Sequence, residues 1–486
     1  MTGVLALDQG TTGTKAHRLA PDGGFAALAA FEHRQILPQP GWVEHDAAEL
    51  LEHLRQCLAA AAGPDGPSAI GLANQGETVV AWDRGTGRPL ANAIVWQDTR
   101  TRDEIERLRA AGAEAETRAR AGLPLDPYFS AAKLRWLLDH AAGARDLLRA
   151  GRLGLGTSDS FFLDRLVGRY ATDVTTASRT SLMSLATGDW DPELCRLFGV
   201  PIEVLPPIRP TLAPFGEVAG GPLAGVPVTA SAVDQQAALF GHGCHRPGRA
   251  KITFGTGAFA LAVIGEALPA ADRVERAGLL PTVAWQHPGR PPTYALDGGV
   301  YHAASAVNWA RRLGLFGDFA EIESFAGPSA LESGLVFVPA LSGLGAPHWD
   351  RSAAGLWIGL GQDTGPLELV RAVLEGVALR AAEVVEAMAG IAALEDSVSI
   401  DGGLSRNGYF RRFLAAALGR TVVVPATAEL TGLGIAAMAL VGAGGAAPGD
   451  PSLLPASRLR VEPQAALPPA LKARFAAARE RSRGWR

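Results

Sequence analysis

One pattern occurs twice in this chain and limits what it can fold into. Val4-Leu5-Ala6-Leu7 is a short apolar run ending in Asp8-Gln9-Gly10-Thr11-Thr12-Gly13-Thr14-Lys15, and it continues as Ala16-His17-Arg18-Leu19. Midway along, Lys251-Ile252-Thr253-Phe254 passes through Gly255-Thr256-Gly257 into Ala258-Phe259-Ala260-Leu261-Ala262-Val263-Ile264. Short apolar runs flanking Gly/Thr turns predict strand–turn–strand units. Two such units half a chain apart predict two related halves meeting at a cleft. The boundary is expected near residue 240, dividing the chain into 1–240 and 241–486.

Helical patterns lie between the strands. Asp46 precedes an apolar stripe of Leu50, Leu51, Leu54 and Leu58, with Glu49 at capping-box spacing. Pro366 opens a second stripe through Leu369, Val370, Val373, Leu374 and Val377. Alternating strands and helices predict an α/β protein. The tail from Pro468 reads as a surface helix. With 48% hydrophobic and 19% charged residues, the chain can bury a large core.

Composition narrows the function. A net charge of −4 argues against nucleic acid as the main partner. The uncharged stretch Leu430–Gly449 is long enough to span a bilayer. Its Gly, Ala and Thr content and its Gly-Gly-Ala-Ala-Pro ending fit a closely packed internal helix better, so no membrane is expected. Three scattered cysteines and an N-terminus without a basic leader predict a soluble, cytoplasmic protein. There is no GxxxxGK[ST] loop, GxSxG elbow or HExxH helix. The GxGxxA matches at Gly432 and Gly255 lack the strand–turn–helix setting of a dinucleotide site. His242, Cys244 and His245 lack a second pair at zinc spacing.

The turns carry the positive signal. In the first, Gly10 and Gly13 permit close backbone approach, Thr11, Thr12 and Thr14 donate to phosphate oxygens, and Lys15 adds charge. Asp8 suits Mg²⁺, a hard cation. Gly255-Thr256-Gly257 and Asp401-Gly402-Gly403-Leu404-Ser405-Arg406-Asn407 supply two further tips around a nucleotide. Asp234 follows an apolar run and suits proton acceptance from a hydroxyl, or else caps a helix. Asn74-Gln75-Gly76-Glu77 suits a hydroxylated ligand, or else a solvated loop. Trp96, Tyr128 and Phe259 wall such a pocket, or else pack in the core.

Together these segments resemble the FGGY family of carbohydrate kinases, and within it are most similar to the glycerol kinases. The resemblance rests on Leu7-Asp8-Gln9-Gly10-Thr11-Thr12, Gly41-Trp42-Val43-Glu44-His45-Asp46, Asn92 to Arg100, Tyr128 to Leu137, Asp234 to Gly241, Gly343 to Asp350 and Gly355 to Glu375. It implies two actin-like, ribonuclease-H-like domains flanking a cleft. It also implies ATP and Mg²⁺ as cofactors, with a small polyol or sugar as substrate and glycerol as the leading candidate. A homodimer or homotetramer is compatible with it. By similarity Asp234 is the base and Asp8 holds the metal. Thr11, Thr12, Gly13, Lys15, Gly255, Thr256, Ala304, Asn308, Gly403 and Asn407 fall on nucleotide positions, with Lys15 for the usual Arg and Asn308 for a longer Gln. Glu77, Trp96, Tyr128, Asp234, Gln235 and Phe259 fall on polyol positions.

Gly76 stands where the glycerol kinases carry Arg. Either another residue supplies the lost donors, or the pocket takes a longer polyol or ketose such as erythritol, ribulose or xylulose. The loop Gly220-Gly221-Pro222-Leu223-Ala224-Gly225 lacks the arginine with which regulated bacterial members bind fructose bisphosphate, so that feedback is not expected. A non-kinase actin-like ATPase shares the hairpins but does not need the polyol set.

Overall fold

The structure is a computed structural model and describes residues 3–63, 66–447, 449–450, 453 and 458–486. Met1 and Thr2 of the N-terminal segment, and Pro448 of the uncharged stretch, lie outside them. In the first half, β1 (Val4–Gln9), β2 (Gly13–Leu19) and β3 (Phe25–Glu32) form an antiparallel meander. β4 (Ala69–Asn74), β5 (Gly216–Glu217) and β6 (Pro227–Val233) complete a sheet of order β5-β6-β4-β1-β2-β3. β4 pairs parallel to β1, and β6 parallel to β4.

The second half repeats this plan. β7 (Ala250–Phe254), β8 (Ala258–Gly265), β9 (Leu280–Trp285), β10 (Thr293–Val300), β11 (Ser397–Gly402), β12 (Thr421–Pro425) and β13 (Arg458–Val461) take the order β9-β10-β8-β7-β11-β12-β13. In each sheet the first strand turns back through an antiparallel hairpin on one side. On its other side it takes two parallel strands and an antiparallel edge. Val4, Leu5, Ala6 and Leu7 are all buried, which is why β1 reads as a continuous apolar run instead of an alternating one.

The helices are α1 (Ala47–Ala60), α2 (Ser130–His140), α3 (Asp234–Gly241), α4 (Ala304–Arg312), α5 (Pro366–Ile391), α6 (Gly408–Leu418), α7 (Leu430–Gly442) and α8 (Pro469–Arg481). Asp46 caps α1 by accepting from Ala48 and Glu49 N–H, while Glu49 accepts from Arg34 N–H and so leaves the expected reciprocal cap unmade. The tail helix is more than a surface feature, because Phe475 and Ala478 are buried in the second-half core.

α7 is the uncharged stretch, and it packs on α3 and on the first half's β1, β4 and β6. A Cβ at Gly434 would lie 1.7 Å from the Ala237 carbonyl oxygen, and one at Gly241 would lie 2.1 Å from that of Leu430. The two backbones are therefore in direct contact, and the glycines near Gly432 serve helix packing. Among the described residues no helix is long and apolar enough to cross a membrane.

Candidate active site

Both hairpin tips open into one cleft of about 1570 Å³, counting its solvent-filled mouth. In the first tip Gly10 N–H donates to Gly13 O and His33 N–H to Thr12 O, both at 3.0 Å. A Cβ at Gly13 would stand 2.7 Å from the Phe31 carbonyl oxygen, so the turn can close only on glycine there. The second tip is fastened to the start of α4. Ala303 and Ser305 N–H donate to Thr256 O, and Ala304 N–H donates to Gly255 O. Thr11, Thr12, Gly255 and Thr256 all line the cleft.

Asp234 begins α3 at the end of β6 and faces the same space. Its Oδ1 accepts from Gln235 N–H at 2.7 Å. Burial, then the nearby Glu77 charge, pushes Asp234 up to about 6. Asp8, at the end of β1, is pushed up to about 7 by burial and then by Asp234. Two carboxylates that burial and a neighbouring negative charge each drive toward protonation fit a role beside a divalent cation, whose charge would reverse both effects. The same low-dielectric setting tunes Asp234 toward proton acceptance near neutral pH.

The rest of the lining is aromatic and charged. Trp96 Nε1–H donates to Thr11 Oγ1 at 2.9 Å and its ring meets Tyr128 edge-on at 5.6 Å, tying this part of the lining to the first tip. Glu77 is 4% exposed and sits at φ 60°, a left-handed backbone that a non-glycine residue adopts only under tertiary constraint. Its Oε1 accepts from Arg179 Nε–H at 2.7 Å, and Arg179 Nη1 lies 3.1 Å from Asp297 Oδ2. Burial raises Glu77, and Arg179 and Lys133 work against that rise. Lys251 donates to Gln235 Oε1 at 2.6 Å and fixes that amide against the cleft. Gly76 also lines the cleft, where an added Cβ would stand 2.9 Å from Val233 Cγ1.

The structure thus brings Thr11, Thr12, Gly76, Glu77, Trp96, Tyr128, Asp234, Gln235, Gly255, Thr256 and Phe259 into one cavity. The other candidates, Asp8 and Ala304 among them, stand apart from its lining. Lys15 Nζ lies 2.9 and 2.8 Å from the two Glu429 carboxylate oxygens, so its charge is already matched. Gly13 closes the first turn from behind. Asn308 is exposed on α4, and Gly403 is exposed after β11. Asn407 is occupied structurally, since its Oδ1 caps α6 by accepting from Phe410 N–H and its Nδ2 donates to Ile322 O.

Sequence reasoning missed Arg179 and Asp297. Arg179 lies in Thr175-Thr176-Ala177-Ser178-Arg179-Thr180, which matches no spacing rule. Asp297 carried a faint signal as the lone carboxylate in the otherwise uncharged β10.

Comparison with known proteins identifies the family of the whole chain. The model of the FGGY family of carbohydrate kinases, N-terminal domain, matches residues 3–241, and that of its C-terminal domain matches residues 250–443. A glycerol kinase of Thermus brockianus is 44% identical over 493 residues, covering 99% of each chain. One of Trichlorobacter lovleyi is 44% identical over 449 residues, covering 90% of each. The crystal structure of Plasmodium falciparum glycerol kinase with ADP superposes with a TM-score of 0.90 at 29% identity, over 99% of this chain and 98% of that one.

Proposed function

The chain belongs to the FGGY family of carbohydrate kinases, and from that premise we propose that it transfers the γ-phosphoryl group of ATP to a terminal hydroxyl of glycerol. The observation that carries this reading is Asp234 lining one cleft with both hairpin tips and with Glu77, Trp96, Tyr128 and Gln235. A bare ATPase has no use for the last four. Three scattered, buried cysteines agree with a cytoplasmic setting.

Asp234 accepts the proton of the attacking hydroxyl, and the fixed Gln235 amide and the Glu77–Arg179 pair hold the other hydroxyls. The tip amides and the Thr11, Thr12 and Thr256 hydroxyls donate to phosphate oxygens, offsetting charge as the phosphoryl group moves. Asp8 would hold Mg²⁺, which when bound neutralises phosphate charge. Trp96, Tyr128 and Phe259 limit water, the competing acceptor.

Arg179 supports the reading that another residue supplies the donors lost at Gly76. Its guanidinium reaches Glu77 from a different segment, and its Nη1 makes no hydrogen bond of good geometry within the protein. It therefore retains donors for a substrate oxygen. One observation favours a second reading. A further cavity, bordered by Phe129, Trp349 and Arg351, shares Tyr128, Arg179, Phe259 and Asp297 with the cleft, which suits a substrate longer than glycerol. Parallel turnover assays with glycerol, erythritol, ribulose and xylulose decide between them. Glycerol should give the highest kcat/KM, and a clear preference for a longer acceptor would replace it.

A further inference from the structure

Outside the cleft, the described residues contain a compact histidine cluster that the phosphotransfer reading does not use. His33 follows β3, and Glu49 and His53 stand one turn apart on α1, which places both on the helix face turned to His33. One donor atom from each of the three residues lies within 4.8 Å of the other two. The His33 and His53 Nδ1 atoms are 3.0 Å apart, with the rings nearly parallel at 13°.

We propose that His33, Glu49 and His53 form a site for one borderline transition-metal dication of the zinc type. Two imidazoles and a carboxylate on two rigid elements are a ligand set such ions favour, with a fourth position left for water. At zinc–ligand distances of about 2.1 Å, tetrahedral geometry separates neighbouring donors by about 3.4 Å. The Nδ1 pair therefore needs to open by only a few tenths of an ångström. Mg²⁺ prefers an all-oxygen shell and is a poor occupant, which sets this site apart from the carboxylates in the cleft.

A metal-binding imidazole is usually oriented by a hydrogen bond from its other nitrogen, and His33 has that partner in Thr14 Oγ1, 3.1 Å from Nε2. Without metal, the 3.0 Å Nδ1–Nδ1 contact calls for a proton on one of the two nitrogens, and with that proton on His33 its Nε2 accepts from Thr14. With metal on both Nδ1 atoms, His33 carries its proton on Nε2 and donates it to Thr14. The proton moves within one ring, and none is lost. Gln9 Nε2, 3.4 Å from the same Nε2, already donates to Gly10 O. Occupancy of the site is thereby read at the root of the first hairpin, since Thr14 and Gln9 flank its tip.

The test uses the full chain, stripped with chelator and dialysed, with Zn²⁺ binding measured by competition against a chromophoric chelator. Wild type should hold one more equivalent of Zn²⁺ than His53→Ala, and Glu49→Gln should weaken that equivalent at least about tenfold. Co²⁺ should give wild type the visible absorption of four-coordinate cobalt, and His53→Ala should remove it. His53→Gln keeps the size and polarity of the side chain, so it decides the matter if His53→Ala does not fold. Equal Zn²⁺ stoichiometry and affinity in wild type and the His53 variants, or an unchanged Co²⁺ spectrum, would overturn the site.

Discussion

Replacing Arg179 with methionine removes the guanidinium while keeping much of the apolar volume against Tyr128 and Phe129. Arg179 is 5% exposed and Glu77 4% exposed, so the change strands a buried carboxylate. Breaking a buried pair by deleting one partner typically costs about 3–5 kcal/mol. The stability loss should fall short of that, because burial already raises Glu77 and the orphaned carboxyl can take up a proton. The larger effect belongs to the substrate. A charge-assisted hydrogen bond is worth about 1.5–3 kcal/mol, which converts to a loss of roughly 10- to 150-fold in kcat/KM for glycerol. The assay is coupled ADP release across a glycerol titration, with thermal melts in parallel and Glu77→Gln completing a double-mutant cycle. Because the two residues act as one unit, the double variant should lose little more than the worse single one. A kcat/KM for Arg179→Met within twofold of wild type, in a folded protein, would refute Arg179 as the substitute for the missing guanidinium.

Asp234→Asn should lower kcat by about 10²–10⁴ while leaving nucleotide affinity, measured by calorimetry, nearly unchanged. With Asp234 raised to about 6, kcat/KM should fall as pH drops below about 6, and a flat acid limb would remove the carboxylate from the chemistry. The sign for stability is opposite. A carboxyl whose folded pKa is raised favours folding most below its unfolded pKa of 3.8 and loses that contribution as pH rises through 6 and 7. Asp8→Asn should therefore raise the melting temperature of the metal-free protein at pH 7.5 while abolishing turnover, and a lower melting temperature would contradict the electrostatic picture. Gly434→Ala forces a methyl group against the Ala237 carbonyl and should destabilise by at least about 1–3 kcal/mol in denaturant melts. Gly76→Arg should lower activity instead of improving it, because any side chain there must displace Val233, the neighbour of Asp234.

The duplicated fold was legible because β1, β7 and their hairpins are local. Apolar runs, glycines and hydroxyls adjacent in sequence are adjacent in space, and the same pattern written twice gave both halves. Asp234, Glu77 and Trp96 could be nominated for the same reason, since each stands at or just beyond the end of an apolar run. Lys15 could not be placed from sequence, because its partner Glu429 is 414 residues away. Asn407 lies on a Gly-rich tip, yet it is a helix cap bound to Ile322, and only the packing of α6 reveals it.

Backbone preference and hydrophobic pattern, which act over a few residues, were enough to set two α/β halves with phosphate-ready turns and a carboxylate at a strand end. Which charges face each other was decided only when distant segments packed together. Arg179 to Glu77 and to Asp297, and α7 of the second half against the first half's sheet, are contacts between segments far apart in the chain. Electrostatics at a few ångströms depends on distance through space, and a linear sequence does not record that distance until the chain has folded.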